Sequence, residues 1–301
     1  MDRLESMSTL LAAVEAGSLS AASRKLGMPL ATVSRKVSEL EAHLRTRLLN
    51  RTSRRLSLTD AGRAYVEACK RILEDIGEAE RAATGEYLKP RGALSITVPI
   101  VFGRVHVLPV AIEFLKAFPD IDIRIMLADR VVNLHEERVD VAARIGALGD
   151  SALIATRVGA VRRVVCASPS YLSVRGTPKS PADLRKHDCI SFERGSPPDA
   201  WKFPAGKTAT SVAIHSRLTV NTAEAAIDAA VAGLGVTRVL SYQVSGALRT
   251  GTLEVILSKF EPEPWPVSLV YGGQGLLPLK LRAFLDFAMP RLKMRLGQES
   301  D

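Results

Sequence analysis

The chain has 301 residues, of which 47% are hydrophobic and 24% are charged, a composition typical of a folded globular protein and not of a disordered one. Its apolar runs, such as Ile96–Val101, are far shorter than the roughly 20 residues of a membrane span, and acidic residues interrupt the N-terminal segment, unlike a secretory signal. The cysteines are odd in number and far apart, which fits a reducing cytoplasm and neither a disulfide framework nor a zinc site: they are Cys69, Cys166 and Cys189.

The positive charge is concentrated in one segment. The net charge is +9, and ten basic and three acidic residues lie between Arg24 and Arg63, so this forty-residue segment carries +7 of the total. The other 261 residues carry only +2. A basic patch on a small segment is the electrostatic footprint of a nucleic-acid binder. The alternative, a solvated basic face with no ligand, is not excluded by charge alone.

Three short helices are predicted near the N-terminus. The first is indicated by apolar residues at spacings of three and four, namely Leu4, Met7, Leu10, Leu11 and Val14. Gly17 ends this helix, and Ser18 can cap a second helix over residues 19–26. Gly27 then breaks the chain, and a basic third helix is predicted over Pro29 to His43. Two short helices joined at a glycine, the second one basic, are typical of a helix-turn-helix.

The third helix begins with Pro29 and Leu30, neither of which has a side chain that can cap a helix. Proline is tolerated in the first turn because its missing N–H would be unpaired there, and its φ is already helical. Further along, Val33, Val37 and Leu40 follow one another at spacings of four and three. These three residues are therefore predicted to face the core.

The segment “LLNRTSRRLSLT” alternates apolar and polar residues around an arginine-rich centre. This pattern predicts a small two-stranded wing with Arg51 to Arg55 at its tip. After it, Thr59 can cap a long helix that runs to about Leu88, where Pro90 and Gly92 end it.

Apolar residues along this long helix alternate at spacings of four and three, which is a heptad seam and favours a dimer. The seam consists of Tyr65, Cys69, Ile72, Ile76, Ala79 and Ala83. The alternative is a single helix that packs on its own domain.

From Ala93 onward, short β-branched runs alternate with helical stretches. Strands are predicted in “ALSITVPI”, “IDIRIML”, “VDVAARI”, “RRVVCAS”, “RLTVN”, “LGVTRVL” and “VSLVYG”. Helices are predicted at about 104–117, 169–175, 181–187, 222–232 and 278–294. This alternation predicts an α/β fold with mainly parallel sheets, and the segment is long enough for two subdomains with a cleft between them. Ligands in such folds bind outside the carboxyl ends of strands and at helix N-termini.

Local motifs for catalysis, metal binding or cofactor binding are absent from the sequence. The five histidines are never closer than 28 residues apart, and no G-x-S-x-G elbow, P-loop or G-x-G-x-x-G turn occurs. No cofactor is therefore expected. An enzyme is disfavoured, although a spatial triad needs no local signature.

The segment “GSLSAASRKLGMPLATVSRKVSELEAHLRTRLLNRTSRRLSLTDAG” resembles the DNA-binding half of a LysR-type transcriptional regulator. The resemblance continues through “FGRVHVLPVAIEFLKAFPDIDI”, “DVAARIGALGDSALIATRVGAVRRVVCASPSYL”, “DLRKHDCISF” and “VNTAEAAIDAAVAGLGVT”, so it covers essentially the whole chain. It implies transcriptional regulation by a small molecule bound in an interdomain cleft. It also implies a winged helix-turn-helix, a linker-helix dimer that is usually paired into a tetramer, and an effector domain similar to periplasmic solute-binding proteins. The implied bounds are 1–59, 60–90 and 91–301, with subdomains 91–161 plus 266–295 and 162–265.

The resemblance implies that the recognition helix enters the major groove with its first turn at the base edges. Its expected contact residues are Pro29, Leu30, Ala31, Thr32, Ser34 and Arg35, with Ser18 nearby and Arg51, Thr52, Arg54 and Arg55 on the wing. Leu30 can meet a thymine methyl group, Thr32 can meet a thymine methyl or a base acceptor, and Arg35 can hold guanine or phosphate. The wing arginines are expected at phosphates or in the minor groove.

For the effector, the family uses the end of the first strand of the effector domain and the residues that face it. These positions correspond to Pro99, Ile100, Val101, Phe102, Arg144, Ile145, Phe192, Asn221 and Thr222. Many members have Ser or Thr near position 100, and Ile100 and Val101 depart from that pattern. The helix that begins at Asn221 and Thr222 could bind an anion, or Asn221 could be a plain N-cap. The expected effector is a small, partly apolar or aromatic molecule, and an acid.

Three functions remain open. The first is a ligand-responsive regulator that binds double-stranded operator DNA and a small effector. The second is a DNA-binding regulator with a vestigial cleft, and the third is an enzyme with an accessory DNA-binding domain. The expected partners also include further copies of the chain, in a homodimer or homotetramer, and RNA polymerase if the protein is an activator. No membrane is expected, and the expected location is the cytoplasm, at the nucleoid.

Overall fold

The computed structural model describes residues 2–52, 55–83, 89–130, 132–134, 136–149, 152–192, 200–205, 208–273 and 277–297. The chain forms two compact units, Met1–Lys89 and Pro90–Asp301. The first unit contains α1 (Arg3–Glu15), α2 (Leu19–Leu26), α3 (Leu30–Leu44), β1 (Leu49–Thr52), β2 (Arg55–Leu58) and α4 (Asp60–Ala83).

Local capping sets the ends of the first helices. The Asp2 carboxylate accepts a hydrogen bond from the Glu5 N–H at 3.2 Å, and the Ser18 hydroxyl accepts one from Ala21 at 3.1 Å. Gly27 ends α2 in the left-handed conformation, with φ of 64°, which glycine adopts without the steric cost of a Cβ atom. These caps lie where the sequence pattern predicts them.

The core of the first unit is built on α3. Val33, Val37 and Leu40 are fully buried, which confirms the predicted apolar stripe. Leu10 from α1 is also fully buried and belongs to the same cluster as Val37 and Leu40. The helix α4 packs against α1, and the Thr59 hydroxyl caps it by accepting from the Gly62 N–H at 2.9 Å.

The second unit contains twelve described strands. They are β3 (Gly92–Val98), β4 (Ile121–Leu127), β5 (Val141–Ile145), β6 (Leu153–Val161), β7 (Arg163–Ala167), β8 (Asp188–Phe192), β9 (Ala200–Ala205), β10 (Thr208–Ala213), β11 (His215–Val220), β12 (Val236–Leu240), β13 (Glu254–Ile256) and β14 (Trp265–Gly272). Its helices are α5 (Ile100–Phe102), the π-helical segment Gly103–Val107, α6 (Leu108–Ala117), α7 (Pro169–Arg175), the 3₁₀ helix Pro181–Lys186, α8 (Ala223–Val231), α9 (Ser241–Arg249), the 3₁₀ turn Ser258–Phe260 and α10 (Leu279–Gly297). Because α5, the π-helical segment and α6 are continuous, they are called the 100–117 helix below.

Two five-stranded sheets organise this unit. Sheet I has the order β4-β3-β5-β14-β6, and sheet II has the order β11-β8-β12-β7-β13. The chain crosses from sheet I to sheet II between β6 and β7, and it returns between the 3₁₀ turn and β14. The α/β class and the two-subdomain architecture are as predicted.

The prediction of mainly parallel sheets is wrong. In sheet I, β3 is parallel to β4 and β5, whereas β14 is antiparallel to β5 and β6. In sheet II, β8 is parallel to β11 and β12, whereas β7 is antiparallel to β12 and β13. The reason lies in the crossovers: β7 and β14 enter their sheets from the neighbouring subdomain, at the edge where the parallel strands end, and so they run the opposite way.

Several elements of this unit have weak sequence patterns and were not predicted, among them β6, the hairpin β9–β10 and α9. The hairpin contributes Trp201 and Phe203 to a buried cluster that also contains Cys189 and Val236 of sheet II. The strand β6 contains Gly159, where a Cβ atom would overlap the Leu296 side chain of α10.

The described ranges have neither the features of a membrane span nor those of a metal site. Within these ranges, no helix combines the length and apolarity needed to cross a bilayer. In the same part of the chain, no three His, Cys, Asp or Glu side chains are grouped so that they could hold a metal ion.

Candidate DNA interface and effector cleft

The start of α3 differs in one respect from the sequence prediction. Pro29 is the N-cap residue, with φ of −57° and ψ of 139°, and is not the first helical residue. Its carbonyl accepts from the N–H groups of Thr32 and Val33 at 2.9 and 3.1 Å, and no side chain caps the helix. The extended ψ follows because residue 29 must turn the chain from Met28 into the helix. The first-turn N–H groups of α3 are thus left without a side-chain acceptor.

The predicted recognition residues of α3 lie in its first two turns, and none of them is buried. Leu30 is 47% exposed, and Ala31 is exposed beside it. Thr32 and Ser34 are half-buried. Arg35 is exposed and lies 3.3 Å from Glu39, one helical turn further on. Because an exposed ion pair of this kind is worth little, the arginine can exchange it for a phosphate or a base.

Ser18 caps a helix, in addition to its predicted position near DNA. Its hydroxyl oxygen caps α2 by accepting from Ala21, and the residue is half-buried. The hydroxyl hydrogen is still able to donate to a phosphate.

The segment predicted to be a wing forms the antiparallel hairpin β1–β2. Thr52 is opposite Arg55 and Arg51 is opposite Leu56 in its register. The tip residues Ser53 and Arg54 lie outside the described residues, and so do the side chains of Arg51, Thr52 and Arg55.

The linker-helix seam needs a correction. Cys69 is fully buried within the first unit, and Tyr65 packs on the core formed by Leu10, Val37 and Leu40. Burial, and next the neighbouring Cys69, raise the pKa of Tyr65 to about 12. These two residues therefore belong to the core of their own domain, because the first turns of α4 lie on α1.

The next two positions of the seam, Ile72 and Ile76, are less buried than Cys69. Ile72 is 42% exposed and Ile76 is half-buried. The side chains of Ala79 and Ala83 lie outside the described residues, although both positions are helical. An exposed isoleucine on the far part of α4 is available to a partner helix.

A cavity of about 190 Å³ lies between the two sheets of the second unit. Sheet II and α9 provide most of its wall, and sheet I provides Trp265 and the loop residue Asp129. The complete lining is Asp129, Arg163, Phe192, Arg238, Val239, Leu240, Gln243 and Trp265. The parallel strands β8 and β12 end at this cavity, with Phe192 and Leu240, whereas the antiparallel strands β7 and β14 begin there. This is the position where α/β folds bind ligands.

Phe192 is the predicted effector residue that lines this cavity. Ile100, Val101 and Phe102 do not form the end of a strand, because β3 ends at Val98 and a helix begins at Ile100 with Pro99 as its N-cap. The predictions for Val101 and Phe102 need correction, since both side chains are buried in the core of sheet I.

Arg144 and Ile145 form the carboxyl end of β5, outside the cavity wall. The Arg144 guanidinium donates to the Val132 carbonyl on a neighbouring loop, and burial lowers its pKa, partly offset by Glu137. Ile145 packs against the core of sheet I. Neither residue therefore belongs to the wall of the cavity that Phe192 lines.

Three helices begin at the ends of the strands that face the cleft, and in two of them a side chain caps a first-turn N–H group. The Asp129 carboxylate accepts from the Ile100 N–H at 3.0 Å, at the start of the 100–117 helix. The Thr222 hydroxyl accepts from Ala225 at 3.3 Å and so caps α8. The N-cap of α8 is thus Thr222, and the alternative prediction of Asn221 as the cap is wrong; Asn221 is exposed. At the start of α9, the Gln243 side chain accepts from the Leu240 N–H at 2.8 Å.

Two arginines that the sequence did not single out are part of the cavity wall. The Arg163 guanidinium lies 5.1 Å from the centre of the Trp265 ring. Arg238 is only 7% exposed; its guanidinium lies 5.0 Å from Trp201 and 5.5 Å from Phe203, and it donates to the Lys202 carbonyl at 2.9 Å.

The cysteines of sheet II are separated by the sheet itself. Cys166 is opposite Thr237 and Cys189 is opposite Val236, and adjacent residues of β12 point to opposite faces. Burial raises the pKa of each thiol to about 12. They are therefore poor nucleophiles and cannot form a disulfide with each other.

A helix-turn-helix unit in the basic segment of the chain, joined to an α/β unit with a cleft at the ends of its strands, defines the class of ligand-binding transcriptional regulators. Residues 4–63 match the family model described as “Bacterial regulatory helix-turn-helix protein, lysR family”, and residues 89–293 match the model described as “LysR substrate binding domain”. The chain therefore belongs to the LysR family of DNA-binding transcriptional regulators.

Similar proteins include both transcriptional repressors and transcriptional activators. An HTH-type transcriptional repressor of Pseudomonas aeruginosa (strain UCBPP-PA14) is 35% identical over 291 residues, which cover 96% of this chain and 92% of the relative. The HTH-type transcriptional activator AaeR of Escherichia coli (strain K12) is 31% identical, over 95% of this chain and 93% of its own length. The structure of CrgA, a LysR-type regulator from Neisseria meningitidis, has a TM-score of 0.62 and 31% identity, over 96% of this chain and 98% of that one.

Proposed function

We propose that this LysR-family regulator changes its binding to operator DNA when a small organic molecule occupies the cavity between sheets I and II. The observation that carries the proposal is the position of this cavity. It lies beside both crossovers between the subdomains, where β7 and β14 begin, and both subdomains contribute to its wall. A ligand that contacts both walls favours one relative arrangement of the subdomains, and this is the means by which binding changes a conformational equilibrium.

On the DNA side, the proposed contacts are the exposed first turn of α3 and the β1–β2 hairpin. Leu30, Thr32 and Arg35 are the proposed base readers, because they lie in the first two turns of α3 and none of them is buried. The wing arginines Arg51, Arg54 and Arg55 are the proposed phosphate or minor-groove contacts, a proposal that rests on the family resemblance and on charge.

For assembly, we propose a dimer formed through the far part of α4, where Ile72 is exposed, and a tetramer made from two dimers. If the regulator activates transcription, RNA polymerase is a further partner, and the proposed location is the cytoplasm, at the nucleoid. A non-enzymatic role agrees with the similar proteins, which are transcriptional regulators.

The size of the cavity indicates the size of the effector. An apolar cavity of about 150 Å³ is large enough to bind benzene. The cavity here has about 190 Å³ and is walled by Phe192, Leu240 and Trp265 among others, which suits a single ring or a short aliphatic chain with one polar group.

The experiment is a fluorescence-anisotropy titration of the full chain on labelled DNA from upstream of its own gene, repeated with a panel of metabolites. We expect at least one small organic compound to change the apparent Kd. DNA binding that no compound changes would favour the vestigial-cleft alternative. Turnover of a compound without any DNA binding would favour an enzyme.

A further inference from the structure

We propose that Tyr242 couples the cavity to the relative arrangement of the two subdomains. Its ring belongs to α9 of one subdomain and packs in the core of the other, directly beside a residue that lines the cavity. This inference rests on the proposed function, since it concerns how an occupied cavity would change DNA binding. It assigns that role to a contact that is not part of the cavity wall.

Tyr242 is 2% exposed and belongs to the buried cluster that forms the core of sheet I, although α9 is part of the subdomain of sheet II. Its ring meets Phe102 edge-on, with 5.6 Å between the ring centroids and an interplanar angle of 83°. It meets His106 at 5.6 Å and 70°. Edge-to-face packing is a favoured arrangement of aromatic rings. A contact of defined geometry therefore connects the two subdomains.

Both sides of this contact are fixed to their own sheet. Phe102 and His106 are buried on the 100–117 helix, and between them a Cβ atom at Gly103 would overlap the Val98 side chain of β3. That helix therefore lies close against sheet I. On the other side, Val244 of α9 is fully buried in the core of sheet II. Because neither helix is free to move on its sheet, a change in the relative position of the sheets must change the ring contact.

The residues before and after Tyr242 contact the crossovers and the cavity. The Ser241 N–H donates to the Arg162 carbonyl at 2.9 Å, and the Arg162 N–H donates to the Ser241 hydroxyl at 3.2 Å. Arg162 lies in the first crossover, and its guanidinium pairs at 3.2 Å with Glu261 in the second. Gln243 lines the cavity. Three consecutive residues of α9 thus contact the crossovers, the core of the other subdomain and the cavity.

The first turn of α9 is the element that can transmit a change at the cavity. Leu240 and Gln243 both line the cavity, and the Gln243 side chain accepts from the Leu240 N–H at 2.8 Å. Successive helical residues are about 100° apart around the axis, so Gln243 can face the cavity while Tyr242 faces sheet I. A molecule that contacts either cavity residue acts on the turn that carries the ring. It would therefore favour one arrangement of the subdomains over another.

The first measurement is a distance between the subdomains in the full chain. Spin labels are attached to cysteines introduced at two exposed positions, by Ala117→Cys in the first subdomain and Thr219→Cys in the second. The three cysteines already in the chain are buried and should react slowly with the label. Labelled chains are diluted into an excess of unlabelled chains, so that distances within one chain dominate. Pulsed electron spin resonance then gives the distribution of distances.

Tyr242→Leu removes the ring from the contact. We expect the distance distribution to widen and the apparent Kd for operator DNA to change about fivefold or more, without any added compound. A compound that changes operator binding by the unchanged chain should act on Tyr242→Leu by a smaller factor. Tyr242→Phe keeps the ring and should keep the narrow distribution.

Tyr171→Leu is the matched control, because Tyr171 is a buried tyrosine that packs within the core of sheet II. We expect this variant to lose stability, with an unchanged distance distribution and an unchanged Kd for the operator. His106→Leu removes a ring of the same contact from the other subdomain. It should reproduce the effects of Tyr242→Leu, and it is the deciding variant should Tyr242→Leu fail to fold.

The proposal is overturned if Tyr242→Leu and His106→Leu keep the distance distribution and the operator affinity of the unchanged chain, or if Tyr171→Leu changes both as much as they do. The metabolite panel separates this result from the proposed function. A compound that acts equally on the unchanged chain and on Tyr242→Leu would retain ligand regulation and reject the role of Tyr242. Variants that change operator binding, in a protein that responds to no compound, would reject ligand regulation and retain the contact as a determinant of DNA binding.

Discussion

The recognition helix and the helices at the cleft begin in opposite ways. α3 begins at Pro29, with no side chain on its first-turn N–H groups, on an exposed face that also carries Arg35. The 100–117 helix and α8 each begin with a side-chain acceptor on a first-turn N–H group, namely Asp129 and Thr222. All these helix starts have the same backbone N–H groups, so the difference lies in which acceptor the chain itself supplies.

This difference determines which helix starts can still bind an anion. A helix start without a cap can accept a phosphate, because its N–H groups and its dipole both favour negative charge. A capped helix start has already used that capacity for its own stability. We therefore expect the start of α3, and not the capped helix starts at the cleft, to offer first-turn N–H groups to an anion such as a DNA phosphate.

The largest effect on the DNA side is expected from Arg35→Ala. We expect the variant to lose about 1–3 kcal/mol of binding free energy at the cognate operator, because a bidentate base contact disappears. The measurement is anisotropy on operator and random DNA, with Arg24→Ala as a matched control from the exposed face of α2. An equal loss on random DNA would show that Arg35 contributes affinity without specificity.

Leu30→Gln tests the apolar part of the same surface. We expect the preferred base to change at one position of each half-site, by about 1 kcal/mol, because a thymine-methyl contact is exchanged for an amide that favours adenine. Selection from a randomised operator library measures this preference. If the selected sequence is the same for both proteins, Leu30 does not read a base, although the helix-turn-helix would remain.

Asp129→Ala tests the cap at the start of the 100–117 helix. Removing the acceptor of the Ile100 N–H should lower the free energy of unfolding by about 1 kcal/mol. Asp129→Asn is the matched variant, since it keeps a capping oxygen and removes the charge, and it should retain most of the stability. Denaturant unfolding measures both. Equal stability of Asp129→Ala and the unchanged chain would mean that this cap contributes nothing.

The smallest effect is expected from Pro29→Ser, which adds the cap that α3 lacks. The serine cap should contribute about 1 kcal/mol and the loss of proline rigidity should offset roughly half of it, so thermal stability should rise slightly. Affinity for DNA should fall, because the new hydroxyl occupies the N–H groups that would face a phosphate. Pro29→Ala loses the rigidity without adding a cap and is the control. A rise in affinity for Pro29→Ser would contradict the role of the uncapped start.

Much of the first unit could be predicted because its determinants are local. Ser18 caps α2 and Gly27 ends it within a few residues, and Val33, Val37 and Leu40 follow the helical period. The linker helix shows the limit of this reasoning. Tyr65 and Cys69 continue a regular seam with Ile72, yet they pack inside their own domain, and periodicity alone does not distinguish a partner helix from α1.

The cleft residues were mostly missed for a different physical reason. The resemblance pointed to the residues after β3, where Val101 and Phe102 turn out to be core residues of a helix that begins earlier than predicted. Arg163 and Trp265 begin strands, and nothing in their neighbouring residues indicates a site. They meet only because each strand starts at a crossover.

The sequence by itself determined the class of the fold, the family, the basic helix-turn-helix and the core stripe of α3, because helical periods, caps and charge act over a few residues. The tertiary structure decided the direction of β7 and β14, the burial of Cys69 and the wall of the cavity. These features depend on contacts between residues that are distant in the chain. Arg163, Arg238 and Trp265 are up to about 100 residues apart and share one cavity, because two crossovers and the register of sheet II bring them together.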